Sequence, residues 1–130
     1  MSADAEHLLV RYFDLLDHRV TERLVVMFAP DGVMITRGGT GGEPLRGHEA
    51  LRSFFASRGP ATGRHVVTGT AEGPGHRLAE GLVRPIGSGE TKFFLASALV
   101  DGAGRITRYT TLVWPDLSPE QEGALVGPSA

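Results

Sequence analysis

The apolar positions of the chain change period once. Between residues 4 and 19, Leu8, Leu9, Tyr12, Phe13, Leu15 and Leu16 recur at helical spacing, with Asp17, His18 and Arg19 in the last turn, and predict an amphipathic helix. Thr21 stands at the N-cap of a short second helix through Leu24, Val25, Met27 and Phe28, which Pro30 and the Asp31-Gly32 pair end. A strand starts at Val33 and runs to Thr36. The following RGGTGGEP, residues 37 to 44, reads as a mobile loop. A third helix spans about Gly47 to Arg58, with Ala50, Leu51, Phe54 and Phe55 on its apolar face and Gly59-Pro60 as its stop.

Beyond that point the repeat becomes extended. Residues 64 to 70, 76 to 86, 91 to 100 and 105 to 114 read as strands separated by GPG, GSGE and DGAG, turns of hairpin length. Helices first and an antiparallel meander afterwards predict an α+β fold with segregated elements. Residues 1–116 form one domain in this reading. Residues 117–130, with prolines on both sides of the middle stretch, are a tail expected to make one loose turn or hang free.

Composition removes several function classes. Thirteen basic and 15 acidic residues leave a net charge of −2 with no run of either sign, which suits neither a phosphate backbone nor an anionic bilayer. Nucleic acid and membrane are therefore not expected partners. There is no cysteine, hence no thiolate nucleophile or disulfide, and no apolar stretch reaches the length of a membrane span. MSADAEHLL resembles no signal peptide, so the expected address is cytoplasmic. The glycines of GGTGG lack the lysine and spacing of a phosphate loop. No HxH, HExxH or carboxylate cluster suggests a metal site, and no cofactor is called for.

One residue stands out for chemistry. In GRHVVTGT, residues 63 to 70, His65 sits on an otherwise apolar strand. The residues leave two readings open: a core histidine held by one hydrogen bond, or an imidazole that moves protons. His7, His18, His48 and His76 fall at helix ends or beside turns and are expected to face solvent.

Three stretches, RYFDLLDHRVTERLVVMFAPDGV at 11 to 33, RGHEALRSFF at 46 to 55 and GRHVVTGT, resemble the nuclear transport factor 2-like superfamily. Within it, the similarity is to the SnoaL-like polyketide cyclases and the dehydratases of the scytalone and bile-acid type. The resemblance implies a cone-shaped curved antiparallel sheet wrapped around three N-terminal helices, with an apolar cavity, and a homodimer formed through the sheet. It also implies that Asp17 holds His65 and that the imidazole exchanges a proton in the cavity, with Tyr12 as a further catalytic residue. The positions matching the ketosteroid isomerase acids are Thr36 and Ala96, which disfavours that chemistry. The second histidine of the scytalone type falls at Glu80, and the histidine and aspartate of the SnoaL type fall at Tyr109 and Thr111.

Tyr12 lies about 140° around an ideal helix from Asp17, so the two share a cavity only if the terminal turn bends inward. Asp17 has the alternative of capping its own helix end. Glu80 is either a cavity acid or an outward neighbour of Arg84, and one face of the strand carrying Tyr109 must look inward. The expected pocket wall is Phe28, Met34, Phe54, Phe55, Phe93, Leu95 and Trp114, with Tyr109 and Glu80 as substrate contacts. The function expected is cofactor-independent acid–base catalysis, a dehydratase or lyase acting on a hydrophobic, polyketide-like or polycyclic molecule. A cyclase or isomerase using the same dyad, or a non-catalytic binding or dimerisation module, are the alternatives.

Overall fold

The computed structural model describes residues 6–36, 43–115 and 117–126. Most of the glycine-rich loop therefore lies outside the described residues. Helix α1 (Leu8–Asp17) buries Leu9, Tyr12, Phe13, Leu15 and Leu16, the face its periodicity predicts. It starts where His7 Nδ1 accepts the Leu9 N–H at 3.1 Å. It ends in a left-handed turn: Arg19 has φ 57°, with Arg19 N–H bonded to Leu16 O and Val20 N–H to Leu15 O. That pattern usually places glycine where Arg19 stands. Here the guanidinium compensates by donating to Leu16 O at 2.7 Å and Gly59 O at 2.9 Å, tying the end of α1 to the segment after the third helix.

Helix α2 (Thr21–Val25) is shorter than its apolar pattern predicts. Met27 and Phe28 leave it because strand β1 (Phe28–Thr36) already begins there, with Met27 O accepting Ile106 N–H. Pro30 and Gly32 fall inside the irregular first half of β1, where the register shifts between Phe28 and Val33. A two-residue strand β2 (Leu45–Arg46), not foreseen in the sequence, pairs with β1 and leads into α3 (His48–Ser57). The meander follows as β3 (Gly63–Gly73), β4 (His76–Pro85), β5 (Lys92–Val100) and β6 (Ile106–Trp114).

The sheet order is β2-β1-β6-β5-β4-β3, antiparallel except for β1 beside β6. The fold is thus α+β, a curved and unclosed six-stranded sheet with α1, α2 and α3 packed on one face. Alternation divides the sheet cleanly. Met34, Ala79, Phe94, Ala96, Ala98 and Tyr109 face the helices and are buried. Glu80, Leu95, Leu112 and Trp114 face away and are exposed.

Residues 117–126 are more ordered than a free tail. Ser118 Oγ accepts Gln121 N–H while Gln121 Oε1 accepts Ser118 N–H, a reciprocal cap that opens helix α4 (Pro119–Val126). Leu117 packs on Leu82 and Phe93, and Glu122 pairs with Arg84 at 2.7 Å.

Candidate active site

Asp17 and His65 meet across the sheet edge. Asp17, on the last turn of α1, reaches His65 on β3 with both oxygens: Oδ1 lies 2.7 Å from Nδ1, and Oδ2 accepts the His65 backbone N–H at 2.8 Å. The carboxylate therefore spends its acceptors on β3 rather than on its own helix end. An ionised carboxylate only accepts, so Nδ1 carries the ring proton and Nε2 is left as an acceptor. The ring stacks on Phe13 at 4.5 Å and 18°, and meets Phe94 edge-on at 5.3 Å. Both side chains are mostly buried, 17% exposed for His65 and 11% for Asp17. Nε2 has no hydrogen-bond partner among the described residues. It is not shut off from solvent, in contrast to Arg108 Nε, which is shielded and without a partner.

Beside the dyad a cleft of about 620 Å³ opens between α1 and the edge strand β3, lined by Val10, Phe13, Asp14 and Asp17 on one side and by residues 64–70 on the other. The volume falls within the range of small-molecule sites. Phe13 is a neighbour of the His65 ring that sequence reasoning missed, although its i, i+4 spacing from Asp17 puts the two on one helix face.

Several expected contacts lie elsewhere. Tyr12 is 2% exposed and does not line the cleft: it packs at 4.6 Å from Tyr109 and 6.4 Å from both Phe28 and Phe55. Phe13 separates this cluster from the dyad, touching Tyr12 at 5.3 Å and His65 on its other side. Tyr109, Phe28, Met34 and Phe55 are buried in the same core, and Phe54 is half-buried under Arg58. These rings fill the space between helices and sheet that was expected to hold substrate. Glu80, Phe93, Leu95 and Trp114 are placed on the opposite face by strand parity, since Ala79, Phe94, Ala96 and Val113 take the inward positions. They are not walls of an inner pocket.

Of the other four histidines only His18 is exposed as expected: His48 Nε2 meets Phe28 O at 2.9 Å, His7 Nε2 meets Ala71 O at 3.2 Å, and His76 Nε2 meets Ser97 Oγ at 3.0 Å. Among the described residues no group of three or more histidines and carboxylates could hold a metal ion. No helix among them is long and apolar enough to cross a membrane.

Burial, and next the neighbouring Tyr109, push the Tyr12 hydroxyl well above its ordinary value, and burial likewise raises Tyr109 against the opposing hydroxyls of Thr111 and Tyr12. They are the only two tyrosines. The folded chain thus keeps two protons that the unfolded chain releases near pH 10. Stability from this source is complete below about pH 10 and is lost as pH rises through the folded values. In an alkaline titration, phenolate absorbance is expected to appear together with loss of secondary structure; a rise near pH 10 in folded protein would show the phenols to be open.

No protein-family model and no curated protein matches the chain. Solved structures do. A nuclear transport factor 2-like protein of Burkholderia xenovorans superposes with a TM-score of 0.70 at 9% identity, covering 95% of this chain and 92% of its own. A ketosteroid isomerase-like protein of Kribbella flavida gives 0.66 at 19% identity, covering 95% and 87%. An epoxide hydrolase/cyclase-like enzyme of pyran ring formation in the polyether salinomycin gives 0.65 at 12%, covering 88% and 90%. With a curved six-stranded sheet around three helices and these likenesses over most of its length, the chain has the nuclear transport factor 2-like fold.

Proposed function

We infer that this chain is a cofactor-independent acid–base enzyme of the SnoaL-like type, its domain spanning residues 1–116. It acts as a dehydratase or lyase on a hydrophobic, polyketide-like or polycyclic small molecule. The observation that carries this reading is the imidazole of His65, held at Nδ1 by Asp17 beside a cleft of about 620 Å³. In the proposed step, Nε2 takes a proton from the carbon beside a carbonyl, and the electron pair passes to the carbonyl oxygen as an enolate. The imidazolium, stabilised by Asp17, returns the proton to the β-hydroxyl, which leaves as water as the C=C bond forms. The same dyad serves a cyclisation or isomerisation equally well, and the likeness in fold to an isomerase-like and a cyclase-like protein keeps that chemistry in view.

A non-catalytic binding module is the second reading, favoured by one observation: Tyr12, Phe28, Phe55 and Tyr109 close the interior with their own side chains. Turnover of hydroxylated and keto-bearing polycyclic compounds by wild type and by His65→Asn separates the two. Loss of turnover in a folded variant supports the enzyme; equal turnover by the variant overturns it. A homodimer, implied by resemblance, belongs to the same proposal. The exposed Val66 and Trp114 at the α4 end of the outer face give a second copy an apolar contact, and sedimentation velocity distinguishes it from a monomer.

A further inference from the structure

The face of the sheet turned away from the helices carries a cation, Arg108, with no acidic partner among the described residues. Register aligns His76, Leu99, Arg108, Val33 and Arg46 in one row across β4, β5, β6, β1 and β2. Their inward neighbours Ala98, Tyr109 and Met34 are buried against the helices, so the row itself faces outward. Arg108 Nη2 donates to Ser97 Oγ at 2.9 Å, and the same hydroxyl lies 3.0 Å from His76 Nε2. Arg108 Nε is shut off from solvent with no partner. Of five guanidinium N–H donors, one has a partner among the described residues, and that partner is neutral. A partly buried charge in this condition is expensive to keep without a counter-ion.

The neighbouring rows supply a place for the rest of a ligand. A groove of about 480 Å³ runs along the outer face, walled by Leu78, Leu95 and Leu112 with Gly69 and Ala71 also in its lining. Ser97, in its lining, joins the groove to Arg108. Glu80 is the one carboxylate in that lining. It lies one position further along β4 than Leu78, the partner of Ser97, on the outward alternation, and so repels any ligand charged along its length.

We propose that the outer face holds a second binding site, independent of the dyad, for an amphipathic monocarboxylate: the head group on the Arg108 guanidinium beside Ser97, the apolar body over Leu78, Leu95 and Leu112. A single negative charge satisfies Arg108, and its confinement to one end avoids Glu80. The site lies on the opposite face of the sheet from Asp17 and His65.

Isothermal titration of the full chain with decanoate and with decanol tests it, because the two share a tail and differ in the charge. Decanoate is expected to bind at least about tenfold more tightly than decanol, the scale of a hydrogen bond to a charged group. Arg108→Gln is expected to remove that advantage while leaving decanol binding as it was. Arg108→Lys, which keeps the charge without the fork, serves if the first variant does not fold, and is expected to retain part of the advantage. No binding, equal binding of acid and alcohol, or an unchanged decanoate affinity in Arg108→Gln overturns the proposal. So does a dimer, seen by sedimentation velocity, that binds no decanoate and is dissociated by Leu112→Arg, since a second copy then occupies the groove.

Discussion

Replacing His65 by asparagine is expected to lower turnover by about 10² to 10⁴, the usual share of a general base, with little change in the melting temperature. Asparagine keeps a polar group near Asp17 and near the Phe13 ring, but has no nitrogen that can take a proton from substrate. The companion change, Asp17→Asn, is the more diagnostic. The carboxylate accepts two hydrogen bonds from one residue, the His65 backbone N–H at Oδ2 and the ring at Oδ1. An amide has one acceptor oxygen. The backbone N–H is fixed by the strand and claims it, so the amide NH₂ then faces Nδ1. That nitrogen must become an acceptor, which moves the ring proton to Nε2 and removes the base without moving the ring. Turnover is therefore expected to fall about as far in Asp17→Asn as in His65→Asn, and the double variant to be no worse than either single one, because the two act as a unit. Losses that multiply in the double variant would mean that Asp17 acts elsewhere, as a helix terminator whose removal loosens α1.

What the sequence disclosed and what it hid follow one physical rule. Periodicity shows which positions share a face, and it located the buried side of α1, the apolar side of α3 and all four meander strands. The link from Asp17 to His65, separated by 48 residues, came from resemblance and not from spacing. Periodicity does not say which of two faces points inward when both are apolar. In KFFLASALV the bulky Phe93 and Leu95 read as the wall of an inner cavity, yet Phe94, Ala96 and Ala98 face the helices. The rings of α1 already occupy the space above these inward positions: Phe13 lies 4.7 Å from Phe94, and Tyr12 packs on Tyr109 of the next strand. The same crowding turns the expected inner cavity into core and leaves the dyad to open sideways at the sheet edge. The parallel pairing of β1 with β6 was hidden for another reason: it joins residues about 75 positions apart, beyond any local signal. The cap of α4 was legible, since the S-P-E-Q order is a helix start, but the surrounding prolines argued for a loose tail.

Gly81→Ala is expected to destabilise the fold by about 3 kcal/mol, at the upper end for overpacking, and to lower the melting temperature by about 10 °C. The site lies where β3 bulges against β4: Val67 pairs with Gly81 and Gly69 with Glu80, which leaves Thr68 as the extra residue. A Cβ on Gly81 would collide with the Val66 carbonyl oxygen and stand 2.9 Å from both Val66 C and Val67 Cα. All three are backbone atoms, so no rotamer change relieves the overlap and the strands must part. β3 has a strand neighbour on one side only, so it is the strand that yields. His65 immediately precedes Val66, and its 2.7 Å contact with Asp17 does not survive a shift of an ångström. The loss of turnover is therefore expected to exceed the fraction of chain unfolded at the assay temperature. Gly69→Ala is the control on the same pair of strands, because its Cβ meets nothing closer than Glu80 Cγ at 3.6 Å, an ordinary contact at the end of a flexible side chain. It is expected to change stability by less than about 1 kcal/mol, as substitutions free of overlap do. Equal melting temperatures for the two alanine variants would show that the bulge has slack to absorb a methyl group, and that the dyad does not depend on the path of β3 through it.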